Sequence, residues 1–274
     1  MNQIDINAII LAGGAGSRLG GVDKALLEHD GETLLARLVT ALAPRVSQIV
    51  IVGHPRDLRV ETDAKIIWAL EDPPGGGPLA GLEAGVRVLL DPSTKSARGI
   101  STEGTSDSES WFFAFACDQP FADRAIHPLL RAASGLAPSP GSGAAPSPGP
   151  GPGPGPGSAS RLKSGTVPSP NFGSASTPSS GKAPAPGPGS APNVVVPTEG
   201  IIGVDHAGRF QALTAIYRLD AVARVLAELG PTAGLPMRAL TKKLDLVTTE
   251  LPLGASQDVD TPADIKALGI ARPL

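Results

Sequence analysis

Five consecutive apolar residues, Ala8-Ile9-Ile10-Leu11-Ala12, stop abruptly at Gly13-Gly14. A strand without polar alternation has both faces covered, the condition of a strand inside a parallel sheet. The segments that follow fit such a sheet. Leu34, Leu35, Leu38, Val39 and Leu42 recur at helical spacing over residues 33–43, behind Thr33 as an N-cap and ahead of Pro44. Residues 48–52 and 65–70 read as strands, 79–90 as a helix, 111–117 as a strand and 123–133 as a helix. This order predicts an α/β fold of three layers around a mostly parallel sheet.

Later in the chain, residues 193–197, 210–217 and 244–249 read as strands. Residues 220–229 form a helix with Ala221, Val222, Val225, Leu226 and Leu229 on one face, and 262–268 a helix with Pro262 in its first turn. Residues 137–192 break the pattern: 15 Pro, 12 Gly, 12 Ser and 8 Ala fill most of 56 positions. The Pro-Gly alternation from Pro148 to Gly157 has period two, whereas a collagen helix needs Gly at every third position. With almost nothing apolar to offset the entropy of ordering, this insertion is expected to be a solvated, disordered loop. Residues 91–110 are polar and unpatterned as well. The 218 residues outside the insertion suffice for one domain that buries roughly 70 % of its unfolded surface.

Composition excludes several classes. A single cysteine, Cys117, rules out a disulfide framework and an all-cysteine metal site, and it reads as a buried, inert thiol. No apolar run approaches the ~18 residues of a membrane span. The opening MNQIDINAIILAGG has no basic flank, so no signal peptide and a cytoplasmic setting are expected. The insertion holds three basic residues and no acidic one, which leaves the remainder at a net charge of −6. Nucleic acid is therefore not an expected partner, and neither is a membrane. His29, His54, His127 and His206 are scattered, without metal-site or triad spacing.

The chemistry concentrates between Leu11 and Lys24. Glycines here permit backbone conformations with positive φ and let N–H groups converge on phosphate oxygens. Arg18 through its fork and Lys24 as a point charge would meet a triphosphate. The segment lacks the Gly-Lys-Ser/Thr of a P-loop, and its basic residues do not suit a dinucleotide fingerprint. The bland alternative is a tight turn flanked by solvated charges.

These residues resemble the nucleotidyltransferase signature: Leu11-Ala12-Gly13-Gly14, then Arg18, Gly20 and Lys24. More narrowly, Gly20-Gly21-Val22-Asp23-Lys24 is similar to the molybdenum cofactor guanylyltransferase family. Gly77-Pro78-Leu79-Ala80-Gly81, Cys117-Asp118-Gln119-Pro120-Phe121 and Asp258-Val259-Asp260-Thr261-Pro262 resemble three further motifs of that family, in the same order. The resemblance spans residues 6–268, apart from 91–110 and 137–192.

The resemblance implies a Rossmann-like nucleotidyltransferase fold. Residues 6–136 would be its nucleotide-binding part and 193–270 its acceptor side. It implies GMP transfer from GTP to the phosphate of molybdopterin cofactor, with Mg2+ and with release of pyrophosphate. Arg18, Lys24 and Asp118 would be catalytic, and Asp118 with Asp260 would hold the metal. Leu11, Ala12, Gly13, Gly14, Gly20, Lys24, Asp72, Gly77, Pro78, Leu79 and Asp118 would contact the nucleotide. Arg209, Gln211 and Arg218 would lie near the strand facing the acceptor. The alternative reading of Asp118 and of Asp260 is a helix N-cap, and that of Asp72 a turn residue before Pro73-Pro74. The family has Asn where this chain has Asp260, which keeps a cytidylyltransferase or a sugar-1-phosphate nucleotidyltransferase open. A non-catalytic nucleotide-binding protein is the alternative from another class.

Overall fold

A computed structural model describes residues 5–13, 19–94, 110–136 and 198–272. They belong to the unit formed by Met1–Pro138 and Pro197–Leu274. The chain runs through β1 (Ile6–Leu11), β2 (Glu28–His29), β3 (Glu32–Thr33), α1 (Leu34–Leu42), β4 (Gln48–Val52), β5 (Lys65–Ala69), α2 (Pro78–Leu90) and β6 (Trp111–Ala116). It continues through α3 (Ile126–Leu136), β7 (Gly200–Val204), β8 (Phe210–Arg218), α4 (Leu219–Leu229), α5 (Arg238–Thr241), β9 (Leu246–Glu250) and α6 (Pro262–Ala267).

Seven strands form one sheet in the order β5-β4-β1-β6-β8-β7-β9. β8 pairs antiparallel with β6 and β7, and the other pairings are parallel. The expected three-layer, mostly parallel architecture is what the structure shows. Period-two side-chain alternation sorts each strand between two cores. Ala8, Ile10, Ile49, Ile51, Phe113 and Phe115 face α1 and α3. Ile9, Val50, Phe112, Ala114, Ala215 and Tyr217 face α2 and α4. Because both faces are covered, β1 and β4 are apolar beyond the polar Asn7 and Gln48 near their starts, and Ala8, Ile9, Ile10, Ile49, Val50 and Ile51 are fully buried. Thr33 caps α1 as expected, its hydroxyl accepting the Ala36 N–H at 3.1 Å.

The strand expected at 193–197 lies outside the described residues, as do the insertion 137–192 and residues 95–109. Among the described residues the structure departs from expectation at several places. The neighbouring strand, β7, was not expected, and it contains two glycines, Gly200 and Gly203, which a strand interior ordinarily disfavours. Here glycine is a packing requirement. A Cβ on Gly200 would stand 2.7 Å from the Tyr217 ring, and one on Gly203 2.7 Å from both a Leu251 methyl and the Thr214 carbonyl oxygen. The helix expected from residue 123 opens instead as a 3-10 turn, Ala122–Ala125, and becomes α-helical at Ile126. The last strand starts at Leu246 rather than 244. The β2–β3 hairpin was not expected either; it turns at Asp30-Gly31, whose φ values of 54° and 80° are those that an Asp-Gly hairpin turn adopts.

Candidate active site

Three adjacent strands deliver their C-terminal ends to one rim of the sheet. β1 runs into Ala12-Gly13, β4 into Gly53 and β6 into Cys117-Asp118. The ends are laced together: Ala12 N–H donates to the Val52 carbonyl (2.8 Å) and Cys117 N–H to the Leu11 carbonyl (3.0 Å). In open α/β sheets this rim is where ligands bind.

Lys24 stands at its centre. It opens a 3-10 turn, Lys24–Leu26, capped by Asp23, whose Oδ1 accepts the Ala25 N–H at 3.1 Å. Lys24 Nζ donates to Asp118 Oδ2 at 3.0 Å and to Asp260 Oδ1 at 2.5 Å. Burial alone would lower the pKa of this ammonium. The hydrogen bond to Asp260 and the charge of Asp118 outweigh burial and hold it above the usual lysine value. Residues 24, 118 and 260, far apart in sequence, thus meet at one nitrogen.

Each carboxylate has its own support. Asp260 precedes α6, where Thr261 and Asp264 form a reciprocal capping box, and its N–H donates to Asp264 Oδ2 at 3.1 Å. The Asp118 carbonyl accepts the Val259 N–H at 2.9 Å, which fixes the spacing of the two acidic segments. Beside it, the buried Gln119 side chain links two elements. It accepts from Thr214 Oγ1 of β8 at 2.8 Å and donates to Asp258 Oδ1 at 3.0 Å. Asp258 is an exposed residue, but protein packed against its carboxyl group desolvates it. Its pKa is raised by that desolvation and by the charges of Asp118 and Asp260, against the Gln119 hydrogen bond and the charge of Lys24.

Other expected residues occupy distinct places. Gly14 and Arg18 lie outside the described residues. Gly20 has a φ of 73°, in the region that favours glycine. Leu11 is half-buried, against Gly81 of α2. Gly77 caps α2 with a φ of 90°, followed by Pro78 as its first residue. Leu79 is fully buried in the core, backbone as well as side chain, so the structure does not present it at the rim as expected. Asp72 is exposed, whereas its neighbour Glu71 turns towards the glycine-rich loop. A Cβ on Gly13 would be 3.9 Å from Glu71 Oε1, and the same oxygen accepts the Gly75 N–H at 3.1 Å. Arg209 and Gln211 both donate to Asp205 (2.8 and 3.1 Å), and Arg218 donates to Asp220 (2.7 Å). The Cys117 thiol is pushed up to about 12, chiefly by burial, as its inert reading requires.

Sequence reasoning passed over Gln119, Asp258, Glu71 and Arg56. The first two stand inside the quoted motifs, where Asp118 and Asp260 drew the chemistry. Glu71 was masked by Asp72, and Arg56 carries no motif at all.

The described carboxylates suit a hard divalent cation. Asp118 and Asp260 already share one positive charge, the Lys24 ammonium, and magnesium takes one or two carboxylates while keeping several waters.

The chain resembles known proteins in sequence and in fold. Residues 8–169 match the family model of the MobA-like NTP transferase domain. The molybdenum cofactor guanylyltransferase of Pseudomonas paraeruginosa is 30 % identical over 131 residues, 48 % of this chain and 57 % of that protein. That of Acidiphilium cryptum is 36 % identical over 136 residues, 49 % of this chain and 61 % of that protein. The chain therefore spans a little over half the length of the curated relatives it matches. The crystal structure of molybdopterin-guanine dinucleotide biosynthesis protein A from Archaeoglobus fulgidus superposes with a TM-score of 0.50 at 15 % identity, covering 96 % of both chains, a likeness of fold. Since the family match covers more than half of its residues, the chain belongs to the MobA-like NTP transferase domain family.

Proposed function

We propose that this chain transfers GMP from GTP to the terminal phosphate of molybdopterin cofactor. The observation that carries the reading is the meeting of Lys24 with Asp118 and Asp260 beyond the ends of β1 and β6. In the reaction, an oxygen of the acceptor phosphate attacks the α-phosphorus of GTP. A new P–O bond forms, the bond from the α-phosphorus to the bridging oxygen breaks, and pyrophosphate leaves with the electron pair. Both reactants are anionic, so positioning and placement of positive charge dominate catalysis.

Each residue has a role in this scheme. Gly13, Gly14 and Gly20 allow the backbone to approach phosphate and base, and Gly77-Pro78 supplies a second backbone surface. Lys24 and Arg18 meet the triphosphate charge. Asp118 and Asp260 would hold a Mg2+, which when bound neutralises charge on the phosphate oxygens. On binding, Lys24 would exchange its carboxylate partners for phosphate oxygens. Asp72, with Glu71 beside it, offers acceptor oxygens to the donor groups of guanine or ribose. Among the described residues no helix is long and apolar enough to cross a membrane, and we assign the activity to the cytoplasm.

Asp260 favours a second reading. A full negative charge in place of the family's Asn alters both the metal and the phosphate environment, which suits a transferase that uses CTP. The test is pyrophosphate release from GTP, CTP, ATP and UTP, with Mg2+, in the presence and absence of molybdopterin cofactor. Release with GTP and the pterin alone is expected. Release with CTP replaces the guanylyl reading, and binding without turnover replaces it with a non-catalytic one.

A further inference from the structure

The Arg56 side chain is largely buried, 13 % exposed, and its guanidinium donates to Asp23, Ala12 and His54. Nε donates to Asp23 Oδ2 at 2.5 Å and Nη2 to Asp23 Oδ1 at 3.1 Å, a two-pronged pairing. Nη2 also donates to the Ala12 carbonyl at 2.9 Å, and Nη1 to the His54 carbonyl at 2.7 Å. Ala12 and Asp23 stand at the two ends of the glycine-rich segment, so one side chain from the segment after β4 ties both ends together. The same Asp23 carboxylate caps the turn that begins with Lys24. Gly53 keeps the approach open: a Cβ there would be 3.0 Å from the Ala12 carbonyl and 3.2 Å from Arg56 Nη1.

We infer that Arg56 is a positioning residue: through Asp23 and Ala12 it sets the backbone from which Lys24 reaches between Asp118 and Asp260. The inference rests on the nucleotidyl-transfer reading for its catalytic consequence. The Arg56 charge is matched by Asp23, so its contribution is geometric. Lysine keeps the charge but cannot reproduce the fork.

The test uses Arg56→Lys and Asp23→Asn, alone and combined, in the full chain. Asp23→Asn retains an oxygen for the Ala25 N–H and carries the test if Arg56→Lys fails to fold. Each single variant is expected to lower kcat/KM for pyrophosphate release by about ten- to a hundredfold, mostly in kcat, with the Tm little changed. The double variant should be no worse than the weaker single one. Wild-type kcat/KM in Arg56→Lys, or losses that multiply in the double variant, would overturn the inference. If the unaltered protein binds none of the four triphosphates, the functional reading fails, and amide exchange at Ala25 and Leu26 decides the clamp. Faster exchange in Arg56→Lys supports it, and unchanged exchange overturns it.

Discussion

The four strands β5, β4, β1 and β6 and the three strands β8, β7 and β9 share one sheet but do different work. In the first group every strand points the same way, so its C-terminal ends gather on one rim and three of them pass directly into the site. In the second group β8 is reversed and sends its own C-terminal end, Arg218, to the opposite rim. This group supplies packing and, further along the chain, Asp260. Parallel pairing concentrates chemistry without special arrangement, whereas a reversed strand spends its end on the fold. Gln119 is the link, attached to β6 but hydrogen-bonded to Thr214 and Asp258.

That contrast can be broken experimentally. On the proposed function, Lys24→Ala should lower kcat/KM by about 10²–10³-fold, because it would remove the fixed charge assigned there to the triphosphate. Its Tm should move little, since the ion pairs are partly exposed. Collapse of the fold in calorimetry would erase the division of labour. Gly203→Ala should do the reverse. The added methyl meets the Thr214 carbonyl, which cannot rotate away, and destabilisation of about 1–3 kcal/mol in urea titration is expected, with kcat/KM of the folded fraction kept. Lost activity with full stability would move the chemistry into the second group.

Gln119→Leu should touch both properties. It strands the fully buried Thr214 hydroxyl, at about 1–3 kcal/mol, and frees the Asp258 segment beside Asp260. A raised Mg2+ requirement for turnover would accompany the stability loss, and an unchanged Mg2+ titration would make Gln119 a packing residue only. The smallest effect is at Asp264, whose pKa is held below the usual aspartate value, first by the Thr261 hydroxyl, then by the Thr261 and Asp260 amides. A depressed folded value adds stability above the unfolded pKa and loses it as pH falls through the folded one. The Tm gap between the unaltered protein and Asp264→Ala should therefore be full near neutral pH and narrow below about pH 4. A gap that persists there would mean that the box acts without its charge.

The sequence disclosed strands of both groups, since residues 210–217 and 244–249 were expected as strands and are β8 and, from Leu246, β9. β1, β4 and β6 were legible because burial on both faces writes an unbroken apolar run. α1, α2 and α4 were legible from their apolar spacing. β7 was not, because its glycines are dictated by Tyr217 and Leu251, residues distant in sequence. Lys24, Asp118 and Asp260 were recognisable by motif, but their meeting at one nitrogen is a property of the folded rim. Arg56 was invisible because an arginine after a strand carries no local mark of its partners, and Asp23 looked like one more residue of a signature.

One detail of the sheet bears on how such a chain tolerates added length. Thr94 and Ser110 border the segment 95–109, and Glu199 follows the segment 137–197 at one residue's remove. Lys65 at the start of β5 holds the Thr94 carbonyl at 2.6 Å. Leu219 N–H donates to the Ser110 carbonyl (2.9 Å) and Arg218 N–H to that of Glu199 (3.0 Å). All three residues sit where parallel strands begin, on the rim away from Lys24. For protein engineering, these are the junctions at which a fluorophore, an affinity tag or a whole fused domain can be spliced in with the nucleotide rim left alone.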